Sequence, residues 1–394
     1  MNQDMNDTKK IALFYGGKIS RHLVMIREAA RKEGVELDLI SYNQVCFETG
    51  GGEVKIRGKS DDNKGKSLEG YSVLFFRTTG KHWEEVDLIL RQVQKLKNKP
   101  IIVDPLVELG KPSMACKAWQ MLVLSEAGLR VPRTVYGSLW YLYQFMESSQ
   151  NTFCGARPLR QHTLDAARLK SNFASIPLLD RDQKKISSKS HGHGEAASSW
   201  QFPVILKGSG GDRGTRVFRA DNLEQLERLV RELRKSETEE GRRYMIQEWI
   251  ENEGDYRVLV LGEKVLGVMK RSRLSEKEYR NNYSMGGKVE VTDLPEEIKR
   301  MAVKAARVCG LMVAGVDVMF CGSNSCEHFS SHCESVARLN VTAKKIASSC
   351  AICSDPRNYV VLEVNKGPQF RGFMEATGID VPREIVRFLV GLAK

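Results

Sequence analysis

The 394-residue chain has no apolar stretch approaching the roughly 18 residues that a membrane-spanning helix requires. The one apolar run near its start, residues 11–15, is too short for the core of a secretion signal. Both absences point to a cytoplasmic protein without a membrane partner. An arginine-rich tract is missing too, although the net charge is +12, because the basic residues are spread along the chain. Nucleic acid is therefore a secondary reading of the charge. Gly16-Gly17 follows the first apolar run, but the full dinucleotide fingerprint is absent, which weighs against a nicotinamide cofactor. Nine cysteines, an odd number without a secretion signal, argue for reduced thiols rather than a disulfide framework. Cys46, Cys116 and Cys309 read as small core residues.

What is present is an ordinary globular composition, 41% hydrophobic and 28% charged, in a chain long enough for two or three domains. Strand-like runs at 10–15, 35–42, 73–77 and 101–104 alternate with helical stretches at 20–32 and 83–96, which predicts a small open parallel sheet with helices. Residues 49–66, rich in Gly, Lys and Asp, read as a loop or loose hairpin. A helix is expected from 112 to 128, closed by a glycine, and another over 139–147. Residues 148–199 lose periodicity and end in a Ser/Lys/His/Gly-rich tract, the composition of an insertion. Order returns at Phe202. A helix at 223–234, a strand at 244–248, a hairpin around Gly262-Glu263, a helix at 296–308 and a strand at 314–320 follow. Residues 321–355 form a second irregular stretch before the last strand.

Two segments carry chemistry. Pro203-Val-Ile-Leu-Lys207 is a strand ending in a lysine, followed by the glycine-rich turn Gly208-Ser-Gly210-Gly211-Asp-Arg-Gly214. Tyr359-Val-Val-Leu-Glu363-Val-Asn365 is an apolar strand whose carboxylate and amide fall on one face by the two-residue period. Asp317, in Gly315-Val-Asp317-Val, adds a second acid. Hard oxygen donors of this kind suit Mg2+, which completes its shell with water and phosphate oxygens. Taken singly, the lysine could close a surface turn and Asp317 could be a solvated strand end. Together they read as an ATP site.

The ordered set of motifs resembles the ATP-grasp carboxylate-amine ligases, and within them the RimK-like group of alpha-L-glutamate type, over residues 8–394 apart from the two irregular stretches. The resemblance implies a mixed α/β and α+β fold: an N-terminal open parallel-sheet pre-grasp domain (1–112), a lid lobe (113–245) carrying the insertion 148–199, and a catalytic lobe (246–394) carrying the insertion 321–355. It also implies roles. Lys117 and Lys207 would neutralise the triphosphate under Gly208, Gly210, Gly211 and Gly214. Glu248, Trp249 and Ile250 would meet adenine, and Asp255 the ribose. Arg257, Arg271 and Asn282 would act at the transferred phosphoryl group, and Asp317, Glu363 and Asn365 would hold Mg2+, two ions being expected with Mn2+ as a substitute. The implied reaction joins a carboxylate, through an acyl phosphate, to an amine such as glutamate, with release of ADP and phosphate. A peptide, protein tail or metabolite would supply the carboxylate, and a homo-oligomer is left open.

Two readings compete with the ligase: an ATP-binding regulatory or scaffold protein without turnover, and a nucleic-acid-binding protein. The first is disfavoured because every implied phosphate and metal position holds a suitable residue, the second because no aromatic and basic reader motif is found. Cys321, Cys326, His328, His332, Cys333, Cys350 and Cys353 contain one Cys-x-x-Cys, which admits a zinc knuckle. Their irregular spacing and sparse apolar support favour an ordinary loop. The long interval between Asp317 and Glu363 departs from the family pattern, in which the metal residues lie close in sequence.

Overall fold

The computed structural model describes residues 10–48, 53–56, 68–110, 116–151, 200–210, 216–252, 254–272, 288–321 and 354–393. Its first sheet is built from β1 (Lys10–Tyr15), β2 (Glu36–Ser41), β5 (Tyr71–Phe76) and β6 (Ile101–Val103), all parallel in the order β2-β1-β5-β6. Strands buried on both faces need continuous apolar runs, and β1 is buried from Ile11 through Tyr15. Helix α1 (Arg21–Lys32) begins where the Ser20 hydroxyl accepts from the Leu23 amide, the N-cap that the serine predicts. Helix α2 (Trp83–Lys95) packs through Val86, Ile89 and Val93. Within the stretch 49–66 only 53–56 are described; they form β4 (Glu53–Ile56), antiparallel to β3 (Val45–Glu48), which precedes that stretch.

Helix α3 (Lys117–Glu126) leads into a second, antiparallel sheet of β7 (Thr134–Gly137), β8 (Val204–Gly208), β9 (Val217–Ala220) and β10 (Tyr244–Glu248), in the order β7-β10-β8-β9. Helices α4 (Leu139–Asn151) and α5 (Leu223–Thr238) close its core through Leu142, Met146, Leu226 and Val230. The helix expected to stop at 147 runs on to Asn151. Gln150 Nε2 donates to the Trp200 carbonyl at 2.8 Å, and Trp200 packs edge-on against Phe145. Residues 148–151 therefore belong to the lobe, not to an insertion. The helix expected from residue 112 begins at Lys117 among the described residues.

The third sheet is antiparallel, with β11 (Gly254–Leu261), β12 (Lys264–Ser272), β13 (Lys288–Thr292), β14 (Val313–Phe320) and β15 (Tyr359–Lys366) in the order β13-β12-β11-β14-β15. Alternation decides its two faces. Val258, Val260, Val316 and Val318 pack under α6 (Glu296–Val308), whose Ile298, Ala302, Ala305 and Ala306 are buried. Leu259, Leu261, Met269 and Val313 face the other way and share one core with Ile11, Leu13, Val73 and Phe75 of the first sheet. Phe373 of α7 (Arg371–Thr377) and Leu389 of α8 (Val381–Leu392) complete that core. The first and third sheets are thus joined by continuous apolar packing.

Cys321 corrects the second insertion boundary. Its amide donates to the Asn358 carbonyl at 2.8 Å, closing the end of the β14–β15 hairpin, and Asp355 caps the short turn Pro356–Asn358. Cys309 is fully buried as expected, and burial pushes its thiol up to about 12. Cys46 and Cys116 are only half-buried. Among the described residues no helix is long and apolar enough to cross a membrane.

Candidate active site

Two separate backbone devices bring the candidate lysines together. Lys207 is the fourth residue of β8, and the turn after it is held by the Ser209 amide donating to the Arg243 carbonyl at 2.7 Å. The Ser209 carbonyl in turn accepts from the Lys117 amide at 3.1 Å, which docks the start of α3 onto that turn. A Cβ at Gly208 would sit 3.2 Å from the Arg216 Cβ, a tight contact that a larger residue would make only if Arg216 gave way. Lys207 is half-buried. Burial and the neighbouring Lys117 lower its pKa to about 8, against the pull of Glu363, Asp255 and Asp317.

Opposite the lysines, the third sheet sets Arg257, Asp317 and Glu363 in register across β11, β14 and β15. Asp317 Oδ1 accepts from Arg257 Nε at 2.7 Å. Its Oδ2 accepts from Arg257 Nη2 at 2.8 Å and Asn365 Nδ2 at 3.1 Å, and Arg271 Nη2 lies 3.0 Å away. Arg271 Nε donates to Asp255 Oδ1 at 2.5 Å from the neighbouring register position. Burial alone would raise the Asp317 pKa, but the two guanidiniums hold the carboxyl down at about 2. Arg271 is raised above its ordinary value because Asp317 and Asp255 outweigh its burial.

Glu363 points instead to the lysines, with Oε1 3.3 Å from Lys117 Nζ. One turn along α3, Gln120 locks the same strand from behind. Its Nε2 donates to the Val364 carbonyl at 2.9 Å, and its Oε1 accepts from the Val364 amide at 3.3 Å. Sequence reasoning missed Gln120, although its position one turn after Lys117 on α3 was the available signal.

Other expected positions fall as follows. Glu248 ends β10, where its Oε1 accepts from the Arg133 amide at 2.9 Å, and Trp249 and Ile250 follow in the crossing to the third sheet. The Arg219 guanidinium lies 4.5 Å over the Trp249 ring. Asp255 is 5% exposed beneath Arg271, so in this conformation it orients that arginine rather than presenting itself for a ribose. Gly210 is exposed, with nothing within 4 Å of an added Cβ, whereas Gly211, Gly214 and Asn282 lie outside the described residues. So does the Cys/His cluster apart from Cys321.

Among the described residues no three of His, Cys, Asp and Glu converge on one point. The expected metal set of Asp317, Glu363 and Asn365 has two carboxylates and an amide, adjacent in register but each acid paired with a protein cation. The donor chemistry fits Mg2+, since all three carry hard oxygens. Asp317 Oδ1 has one partner among the described residues, leaving acceptor capacity. A cavity of about 950 Å³ elsewhere on the third sheet, lined by Lys264, Val268, Val291, Lys299 and Thr377, contains none of these residues. Convergent charge, not cavity size, marks the site.

Three sheets with a lysine-bearing strand end facing an acid-bearing hairpin have the ATP-grasp fold, as comparison with solved structures shows. The ATP-grasp ligase PsnB, complexed with a minimal precursor, Mg and ADP, superposes with a TM-score of 0.54 at 14% identity, covering 99% of each chain. Residues 183–347 match the RimK-like ATP-grasp domain. The chain is also similar to a probable alpha-L-glutamate ligase of Syntrophotalea carbinolica, 31% identical over 48% of this chain and 50% of that one. A probable alpha-L-glutamate ligase 1 of Shewanella frigidimarina is 27% identical over 73% and 85%. The chain thus spans about half the length of the first of these curated relatives.

Proposed function

We propose that the protein is an ATP-dependent carboxylate-amine ligase. The observation that carries this reading is the meeting of Lys117 and Lys207 with Glu363 and Asp317, cations for a triphosphate set against oxygen donors for its counter-ion. Lys207, Lys117 and the backbone amides of the turn after β8 would bind the β- and γ-phosphates. Arg257 and Arg271, oriented by Asp317 and Asp255, would face the charge that develops as the γ-phosphoryl group passes to a substrate carboxylate, and Asn282 would assist. An amine then displaces phosphate from the acyl phosphate to form the amide. Asp317, Glu363 and Asn365 would hold Mg2+, which when bound neutralises phosphate charge and orients the γ-phosphoryl group. Two ions, with Mn2+ able to replace them, belong to this reading.

Names of the relatives support an amino acid such as glutamate as the amine, and the precursor peptide in another PsnB complex supports a peptide as the carboxylate donor. A cytoplasmic setting, self-association and the three-part division at 112 and 245 are parts of the same proposal. The test is ADP release from ATP in the presence of candidate amino acids and peptides. Stimulation that requires both an acid and an amine supports the ligase. Tight ATP binding without stimulation by any pair favours the non-catalytic regulatory alternative.

A further inference from the structure

Outside the candidate site, two charged side chains and the ammonium of a third are buried together where the first and third sheets meet. Arg77 follows β5 and is 4% exposed, Asp104 follows β6 and is fully buried, and Lys366 ends β15. Each has an atom with no hydrogen-bond partner among the described residues: Arg77 Nη1, Asp104 Oδ2 and Lys366 Nζ. Burying charge that is not fully satisfied is unfavourable, so the bonds this cluster does make need a reason.

Those bonds end at, or just beyond, the ends of the strands of the candidate metal set. Arg77 Nη2 donates to the carbonyls of Gly367 at 3.1 Å and Pro368 at 3.3 Å, immediately beyond Asn365 and Lys366. Pro368 folds back over Gly315, where its Cβ would lie 2.9 Å from an added Cβ, and Gly315 pairs with Asn365 across the hairpin. Asp104 Oδ1 accepts from the amides of Met312 at 2.8 Å and Val313 at 3.0 Å, at the head of the strand that carries Asp317. Both anchors are themselves fixed. The Arg77 amide donates to the Phe14 carbonyl at 2.9 Å and its carbonyl accepts from Tyr42 Oη at 3.2 Å. Asp104 adopts φ 64, and Thr78, next to Arg77, adopts φ 45, a region that a β-branched residue enters only when its surroundings hold it there.

We propose that Arg77 and Asp104 are positioning residues, through which the N-terminal sheet sets the spacing of the two strands that present Asp317, Glu363 and Asn365. Neither belongs to the phosphate or metal set of the proposed function. Arg77 fixes the exit of β15 and Asp104 the entry of β14, so the hairpin is gripped at its open end by the first sheet while Gln120 holds its middle. The inference rests on the metal reading of those three residues.

The test uses the full chain with ADP and Mn2+ as the probe, free Mn2+ being followed by electron paramagnetic resonance. ADP affinity in EDTA is measured separately by calorimetry. Arg77→Met should weaken Mn2+ binding in the ADP complex by about tenfold, the low end of what loss of a group that orients metal ligands costs, because Arg77 acts through the backbone next to Asn365. Its ADP affinity in EDTA should match the parent's. Arg77→Lys, which keeps the charge but cannot fork across two carbonyls, should fall between. Should Arg77→Met not fold, Arg77→Lys and Asp104→Asn carry the same comparison. Parental Mn2+ affinity in the folded variants, or an equal loss of ADP affinity in EDTA, overturns the proposal. Absence of Mn2+ binding in the parent's ADP complex overturns the metal reading itself, an outcome that requires no variant to detect.

Discussion

Lys207→Met separates a functional lysine from a structural one by the signs of two effects. In the folded chain burial and Lys117 draw the Lys207 pKa from the usual 10.5 to about 8. Keeping it protonated at neutral pH therefore opposes folding by up to about 3 kcal/mol, and on the order of 1–2 kcal/mol after allowance for the solvent that reaches this half-buried side chain. Because the folded pKa lies below the unfolded one, this penalty is fully present below pH 8 and fades as pH rises toward 10.5. Methionine fills similar volume without the charge. The variant should be more stable than its parent at pH 7, with the difference shrinking by pH 10. Nucleotide binding should move the other way. Losing a charge-assisted contact to phosphate costs about 1.5–3 kcal/mol, or roughly 10- to 150-fold in affinity. Chemical denaturation at the two pH values and calorimetric titration with ATP measure both quantities. Unchanged ATP affinity, or a loss of stability alongside the lost affinity, would refute the assignment of Lys207 to the phosphates.

Further expectations follow from the same geometry. ATP affinity should fall as pH rises past about 8, by up to about tenfold per unit, because Lys207 among Lys117, Glu363, Asp255 and Asp317 must gain a proton to meet phosphate. Titrations in buffers of different ionisation enthalpy should show proton uptake, and Lys207→Met should flatten the profile. Asp317→Asn should destabilise the fold by about 3–5 kcal/mol in denaturant, since it strips a partner from Arg257 and from buried Arg271. Glu363→Gln breaks only a partly exposed pair with Lys117, so it should leave stability within about 1 kcal/mol while ADP formation and its Mg2+ dependence suffer. Replacing residues 152–199, or 322–353, by a short turn should leave a soluble chain that binds ATP. The flanking ends already meet, Gln150 at Trp200 and Cys321 at Asn358, and failure of either shortened chain to fold would show that the removed segment belongs to the core.

Local pattern carried most of the fold. The helix Glu296–Val308 and the strand Tyr244–Glu248 were legible to the residue, because a 3.6-residue stripe against Glu-rich first-turn positions and a compact apolar run each have one reading. Ends were less legible where tertiary bonds decide them. Residues 148–151 look polar, yet Gln150 stays helical because its side chain reaches Trp200, and Cys321 reads as loop until Asn358 is placed beside it.

The site divided along the same line. Glu363 and Asn365 could be proposed because a strand's period puts alternate residues on one face, and Lys207 because a turn of glycines follows it. The cations that hold the acids have no such local mark. Arg271 looks like any arginine in a hairpin until its register opposite Asp255 and its reach to Asp317 are known, and that register depends on how β11, β12 and β14 pair. Arg77 is further removed, with 290 positions between it and the carbonyl it holds at Gly367. A contact of that span is created only when two sheets share a core, and the apolar residues that build this one, Leu13, Phe75, Leu259 and Phe373, say nothing of the charges at its edge. If Arg77 and Asp104 do set the metal strands, the N-terminal sheet acts on the chemistry through backbone position alone. Substitutions in it would then change metal affinity without touching a ligand.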